Sequence, residues 1–71
     1  MKIKTYLAII QINDEIITML RNGKNRNCVK MDIIDLMRNY YLIKKNRMIR
    51  SKDIQIILVR VEYHNGDYIV L

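Results

Sequence analysis

Asn65-Gly66, set between two apolar runs, constrains this chain more than any other pair of residues in it. A two-residue type I′ turn needs positive φ at both central positions, and Asn followed by Gly adopts that geometry at least cost. The runs on either side alternate as strands do. Ile57, Val59, Val61 and Tyr63 share one face of the segment from Ile54 to Tyr63, and Tyr68 to Leu71 returns beside it. The turn then pairs Tyr63 with Tyr68, Glu62 with Ile69, Val61 with Val70 and Arg60 with Leu71. One face of this ribbon is wholly apolar. The other mixes Arg60 and Glu62 with Ile56, Leu58, Ile69 and Leu71, four residues expected to lie partly covered or to meet a second subunit.

Upstream, residues 2 to 12 also alternate, with Ile3, Thr5, Leu7 and Ile9 on one face and Tyr6, Ala8, Ile10 and Ile12 on the other. Apolar residues on both faces suit a buried strand. Asn13-Asp14-Glu15 follows, an N-cap residue and two acids that would meet the positive end of a helix dipole. Ile16, Ile17 and Leu20 would give that helix an apolar face, Arg21 would close it and Asn22-Gly23 would supply a left-handed exit, so a short helix is expected over 14 to 22. The competing reading draws 5 to 22 as one long helix. After a polar loop from Lys24 to Asn27, the positions Val29, Ile33, Leu36, Met37, Tyr40 and Ile43 form the stripe of a second amphipathic helix, which Asn27 would cap. Asp32 and Asp35 near its start and Lys44 and Lys45 near its end match the dipole. The expected class is therefore α+β: a small single domain over 1–71 with two short helices, an N-terminal strand (or helix) and a C-terminal β-hairpin.

A chain of 71 residues buries only about 60% of the surface its unfolded form exposes, so its core is thin. Scaffolds of this size usually need disulfides, a metal or a partner subunit. Cys28 is the only cysteine, which excludes an intramolecular disulfide and suits a reducing cytoplasm. A homodimer is the natural remedy. The basic start ahead of Leu7 to Ile12 has the look of a signal peptide, yet no small-residue cleavage site follows, and no apolar run reaches the roughly 18 residues of a membrane span. The expected location is the cytoplasm of a host bacterial cell. Isoleucine, with 14 copies, joins lysine, asparagine, tyrosine and methionine in a bias that AT-rich coding produces. Very short basic proteins of that composition are frequent in phages and mobile elements of low-GC bacteria, a compositional association rather than a motif.

Catalytic chemistry needs converging groups, and few are on offer. Cys28 and His64, the only residues of their kinds, would have to meet as nucleophile and base from the start of a helix and a hairpin turn. Zinc wants about four ligands, and no CxxC or HxxxH spacing is present. Asp32 and Asp35 read as a solvated helix face, and two glycines do not write a phosphate loop. The expectation is a protein that is not an enzyme, with no cofactor, no metal and no small-molecule substrate.

Charge is the feature that departs from an ordinary surface. The formal balance is +6, and most cations fall in two acid-free groups: Arg21, Lys24, Arg26 and Lys30, then Arg38, Lys44, Lys45, Arg47, Arg50 and Lys52. On one side of the fold they would make a patch for phosphates or for an acidic protein. Tyr40 and Tyr41 stand beside the second group, one expected to pack inward and the other to stack on a base or anchor an interface.

Val29 to Tyr41 as a second helix, Leu42 to Lys52 as a cationic recognition element and Ile54 to Leu71 as a two-stranded wing together resemble the winged-helix outline. That resemblance implies direct DNA or RNA binding by a small regulator. The leading expectation is instead a non-catalytic, phage-type effector that docks on a host protein of replication, transcription or defence machinery and inhibits or redirects it. Minimal length, surplus apolar surface and a hairpin with a free edge all suit that role.

Overall fold

Asn13-Asp14 decides the topology of the first third of the chain. Asn and Asp accept local backbone hydrogen bonds equally well in a helix cap and in a turn, and Asn tolerates positive φ. In this protein they form a turn, with Asn13 at φ 54°. A computed structural model describes residues 3–71, so the Lys2 start expected for the first strand lies outside the described residues. Strand β1 runs Lys4–Ile12 and strand β2 runs Glu15–Gly23. They pair antiparallel from Ile12↔Glu15 to Lys4↔Gly23. The helix expected over 14 to 22 is thus a strand. Ile16, Ile17 and Leu20 fit a helical stripe, but Ile17, Met19 and Arg21 also share one face at period two, and β-branched Ile16, Ile17 and Thr18 favour the pleated surface.

Helix α1 follows over Arg26–Lys45, 20 residues with Val29, Ile33, Met37 and Tyr41 buried. It begins three residues before the expected stripe and is capped by Asn25, not Asn27: the Asn25 side chain accepts from the Cys28 backbone N–H at 2.9 Å. Asp32 and Asp35 consequently lie beyond the first turn, which holds no acid, while Lys44 and Lys45 do occupy the last. Asn46 ends the helix in the left-handed region at φ 51°, and the N–H groups of Asn46 and Arg47 both donate to the Tyr41 carbonyl. Gly23 is needed for a reason other than a left-handed exit. A Cβ there would run into the Val29 side chain, so the close approach of α1 to the end of β2 requires glycine.

Beyond Asn46 the chain has no regular secondary structure up to Arg50, makes a single 3-10 turn over Ser51–Asp53 and enters strand β3, Ile54–His64. Ile49 turns inward from this connector, 5% exposed. No recognition helix exists over 42 to 52, which corrects the winged-helix outline. Residues 42 to 45 only finish α1. Strand β4, Asp67–Val70, returns across Asn65-Gly66, both at positive φ, and pairs Tyr63↔Tyr68, Glu62↔Ile69 and Val61↔Val70 in the expected register. The Leu71 N–H donates to the Arg60 carbonyl at 2.9 Å.

β3 lies antiparallel on the other side of β1, giving the sheet order β2-β1-β3-β4. The architecture is α+β with one helix and four antiparallel strands, rather than two helices. α1 covers one face of the sheet. Tyr6, Ala8, Ile10 and Ile12 from β1 and Ile54 from β3 meet Val29, Ile33, Met37 and Tyr41 there, with Ile17, Met19, Ile56 and Leu58 half-buried around them. The opposite face carries no helix. No helix among the described residues is long and apolar enough to cross a membrane.

Candidate partner-binding surfaces

The register assigns each strand residue to a face, because directly opposed residues in an antiparallel pair point the same way. All seven strand residues that are acidic, basic or histidine fall on the side of the helix: Lys4, Glu15, Arg21, Arg60, Glu62, His64 and Asp67. Crossing the sheet on the uncovered side, the rows are Leu20↔Leu7↔Val59, Thr18↔Ile9↔Ile57 and Ile16↔Gln11↔Gln55, with Asn22↔Thr5↔Val61↔Val70 and Tyr63↔Tyr68 at the other end. The described strand residues of this face carry no charge, and Lys52 and Asp53 stand at its edge, lining a hollow with Gln11 and Gln55. Ile16 is 68% exposed here, Ile57 62%, Tyr63 62% and Val70 63%, while Leu7, Ile9 and Val59 are half-buried and Val61 is buried.

Ile56 and Leu58, expected to lie partly covered or to meet a second subunit, lie on the helical face and are partly covered, half-buried against the core beneath α1. Ile69 and Leu71 are exposed, Ile69 opposite Glu62 and Leu71 beside Arg60. The ribbon face that is wholly apolar in the sequence is the one left open.

The two cationic groups flank opposite ends of α1, which spans about 30 Å at 1.5 Å per residue. At its N-terminal end Arg21 and Arg60 oppose Tyr6 across the sheet, and Arg26 lies over the Tyr6 ring, 5.3 Å from the centroid. Arg26 also donates to the Leu58 carbonyl at 2.7 Å, which fixes it as a strut between helix and sheet. Arg60 was not among the expected binding residues. Its nearest acid is Glu62 at 4.0 Å, and its Nε is buried with no hydrogen-bond partner among the described residues. Lys24 and Lys30 are exposed nearby in sequence.

At the C-terminal end Arg38, Lys44, Arg47, Arg50 and Lys52 are exposed, and so are the apolar residues interleaved with them: Tyr40 at 42%, Leu42 at 49%, Ile43 at 76% and Met48 at 84%. Asp35, Arg38, Asn39, Leu42, Met48 and Ile49 line a shallow groove of about 250 Å³ here. Tyr41 is the inward tyrosine, 1% exposed, and Tyr40 the outward one, their rings edge to face at 5.8 Å.

Lys45 stands apart from its neighbours. Its Nζ donates to Glu15 Oε1 at 2.7 Å, and the Tyr41 hydroxyl donates to the same oxygen at 2.8 Å. Those two donors hold the Glu15 carboxyl below its ordinary range, Lys45 first and Tyr41 second. Burial, then the bond to Glu15, pushes the Tyr41 hydroxyl up, and Glu15 raises the Lys45 ammonium. The trio ties the start of β2 to the last turn of α1, so Lys45 is engaged within the fold while Lys44 projects freely.

The groups once weighed for catalysis are dispersed. Cys28 is exposed in the first turn of α1, and His64 ends β3 with its Nε2 3.0 Å from Glu62 Oε2. Among the described residues no three His, Cys, Asp or Glu side chains gather as metal ligands would. Comparison of the chain with protein-family models, with curated proteins and with solved structures finds no match.

Proposed function

We propose that this protein is a non-catalytic effector of the phage or mobile-element type. It docks on a host protein of replication, transcription or defence machinery and inhibits or redirects it. The observation that carries this reading is the mixture at the C-terminal end of α1. Exposed cations alternate there with exposed Tyr40, Leu42, Ile43 and Met48 around a shallow groove. A phosphate-binding surface sets its cations among polar residues, whereas protein interfaces combine aromatic, Met and Arg anchors with a charged rim. The partner this surface fits presents acidic groups around an apolar projection.

Direct binding of DNA or RNA is the second reading, and the opposite end of α1 supports it. Arg21, Arg26 and Arg60 converge around Tyr6 there, with the Arg60 Nε lacking a partner. A phosphate contact would satisfy that group.

Affinity capture from a low-GC bacterial lysate, run with and without nuclease, separates the two. The effector reading expects one stoichiometric host protein that survives nuclease and is lost with Met48→Ala or Tyr40→Ala. Capture that vanishes with nuclease, falls steeply with salt and responds to Arg60→Ala would transfer the function to nucleic acid.

A further inference from the structure

We infer that a second copy of this chain covers the open face of the sheet, so that two sheets stack and the two helices point outward. Charge is the first argument. Each copy carries +6, and the helical side of each holds every charged strand residue, so self-contact elsewhere sets like charges against one another. The open face alone meets its own image without that cost. A two-fold interface is isologous, which requires a self-complementary surface of this kind.

The layout of the face is the second argument. Leu7, Ile9, Leu20 and Ile57 occupy its centre, while Thr5 with Asn22 closes one end and Gln11 with Gln55 the other. The Thr5 hydroxyl already donates to Asn22 Oδ1 at 2.8 Å. An apolar centre bounded by uncharged hydrogen-bonding groups is the anatomy of a protein interface. Nucleic acid or an acidic protein would find no strand cation here to pair with, Lys52 standing only at the Gln11 and Gln55 edge beside Asp53.

Size is the third. Three strands of 9 to 11 residues and one of 4, about 4.8 Å apart, present about 500 Å² of sheet, so two copies remove about 1,000 Å² from water even before side-chain relief is counted. That reaches the about 1,000 Å² a specific interface needs. Stacked sheets packed about 10 Å apart would also give the thin core of this chain a second layer.

The proposal is independent of the function proposed above, which rests on the far side of the molecule. Sedimentation equilibrium of the full chain at high micromolar concentration reads it directly. The wild-type protein should run at the mass of two 8.6 kDa chains. Ile57→Lys and Ile16→Lys, each made at a side chain more than 60% exposed in the single chain, should halve that mass and leave the far-ultraviolet circular dichroism unchanged. Lys44→Glu, on the helical side, should leave the dimer intact. A wild-type monomer, or a dimer that survives both lysine substitutions, overturns the proposal. Host-protein capture by a wild-type monomer would overturn this proposal alone, and a wild-type dimer that captures no host protein would overturn the proposed function alone.

Discussion

The two faces of this sheet are built from the same residue types and are used in opposite ways. Ile9 and Ile10 are neighbours on β1, as Ile56 and Ile57 are on β3, yet Ile10 is fully buried under α1 and Ile57 is 62% exposed. Charge distinguishes the faces better than hydropathy does. On the covered side, charged residues ring the helix and take part in holding it, as Glu15 does with Tyr41 and Lys45. On the open side the described strand residues include none. A surface that needed only solubility would scatter lysines across such a face, and the proposal that a second copy covers it rests on their absence from its described strand residues.

The comparison breaks most sharply at the core. Ile10→Ala should cost about 2–5 kcal/mol, enough to unfold much of a chain this small. Ile57→Ala, read by denaturant titration at a concentration where the chain is monomeric, should cost under about 1 kcal/mol. Equal costs would mean that the faces are not as different as their exposures say. Gly23→Ala comes next. It forces Val29 away from the end of β2 and should cost about 1–3 kcal/mol in the same titration, with β2 the first strand to lose amide protection.

Much of this was legible in advance, and the errors have physical causes. Asn65-Gly66 fixed the hairpin and its register because few other residue pairs accept two consecutive positive φ angles. The body of α1 was legible from its four-residue spacing, but its start was not, since Asn25 and Asn27 are equally good caps and only the Cys28 N–H chooses between them. β2 was misread because Asn13-Asp14 suits a cap or a turn, and the choice depends on pairing with β1, a non-local contact that no short window contains. The composition of the two faces of β3 was legible, but not which of them the helix covers, because Arg60 and Glu62 look like solvent-side residues. They share a face with Ile54, Ile56 and Leu58, yet the core under α1 takes only those three from the strand, and its charged end stays half-exposed. Of the candidate binding residues, the exposure of Arg38, Lys44 and Arg47 followed from their place off the buried stripe, whereas the engagement of Lys45 with Glu15 required the fold.

Smaller effects sharpen the covered face. Tyr41→Phe keeps the ring in the core but removes the hydroxyl bond to Glu15, so thermal melts should show a modest loss, well short of that for Ile10→Ala. The pH dependence is smaller still. Because the Glu15 carboxyl is held low in the folded state, its contribution is present above the ordinary carboxylate range and fades as pH falls through the folded value. Glu15→Gln should therefore flatten the acid limb of a plot of melting temperature against pH. On the alkaline side the raised Tyr41 and Lys45 work in the opposite sense, their contribution being lost as pH rises through their folded values.

The most direct test of the difference between the faces uses isoleucine methyl labels and a soluble paramagnetic probe, with relaxation read at low and at high protein concentration. Ile10 should be shielded from the probe throughout. Ile57 should be accessible in dilute solution and become shielded as concentration rises. An Ile57 methyl that stays accessible at every concentration would contradict the claim that the uncharged face of this sheet is built to be covered by its own copy.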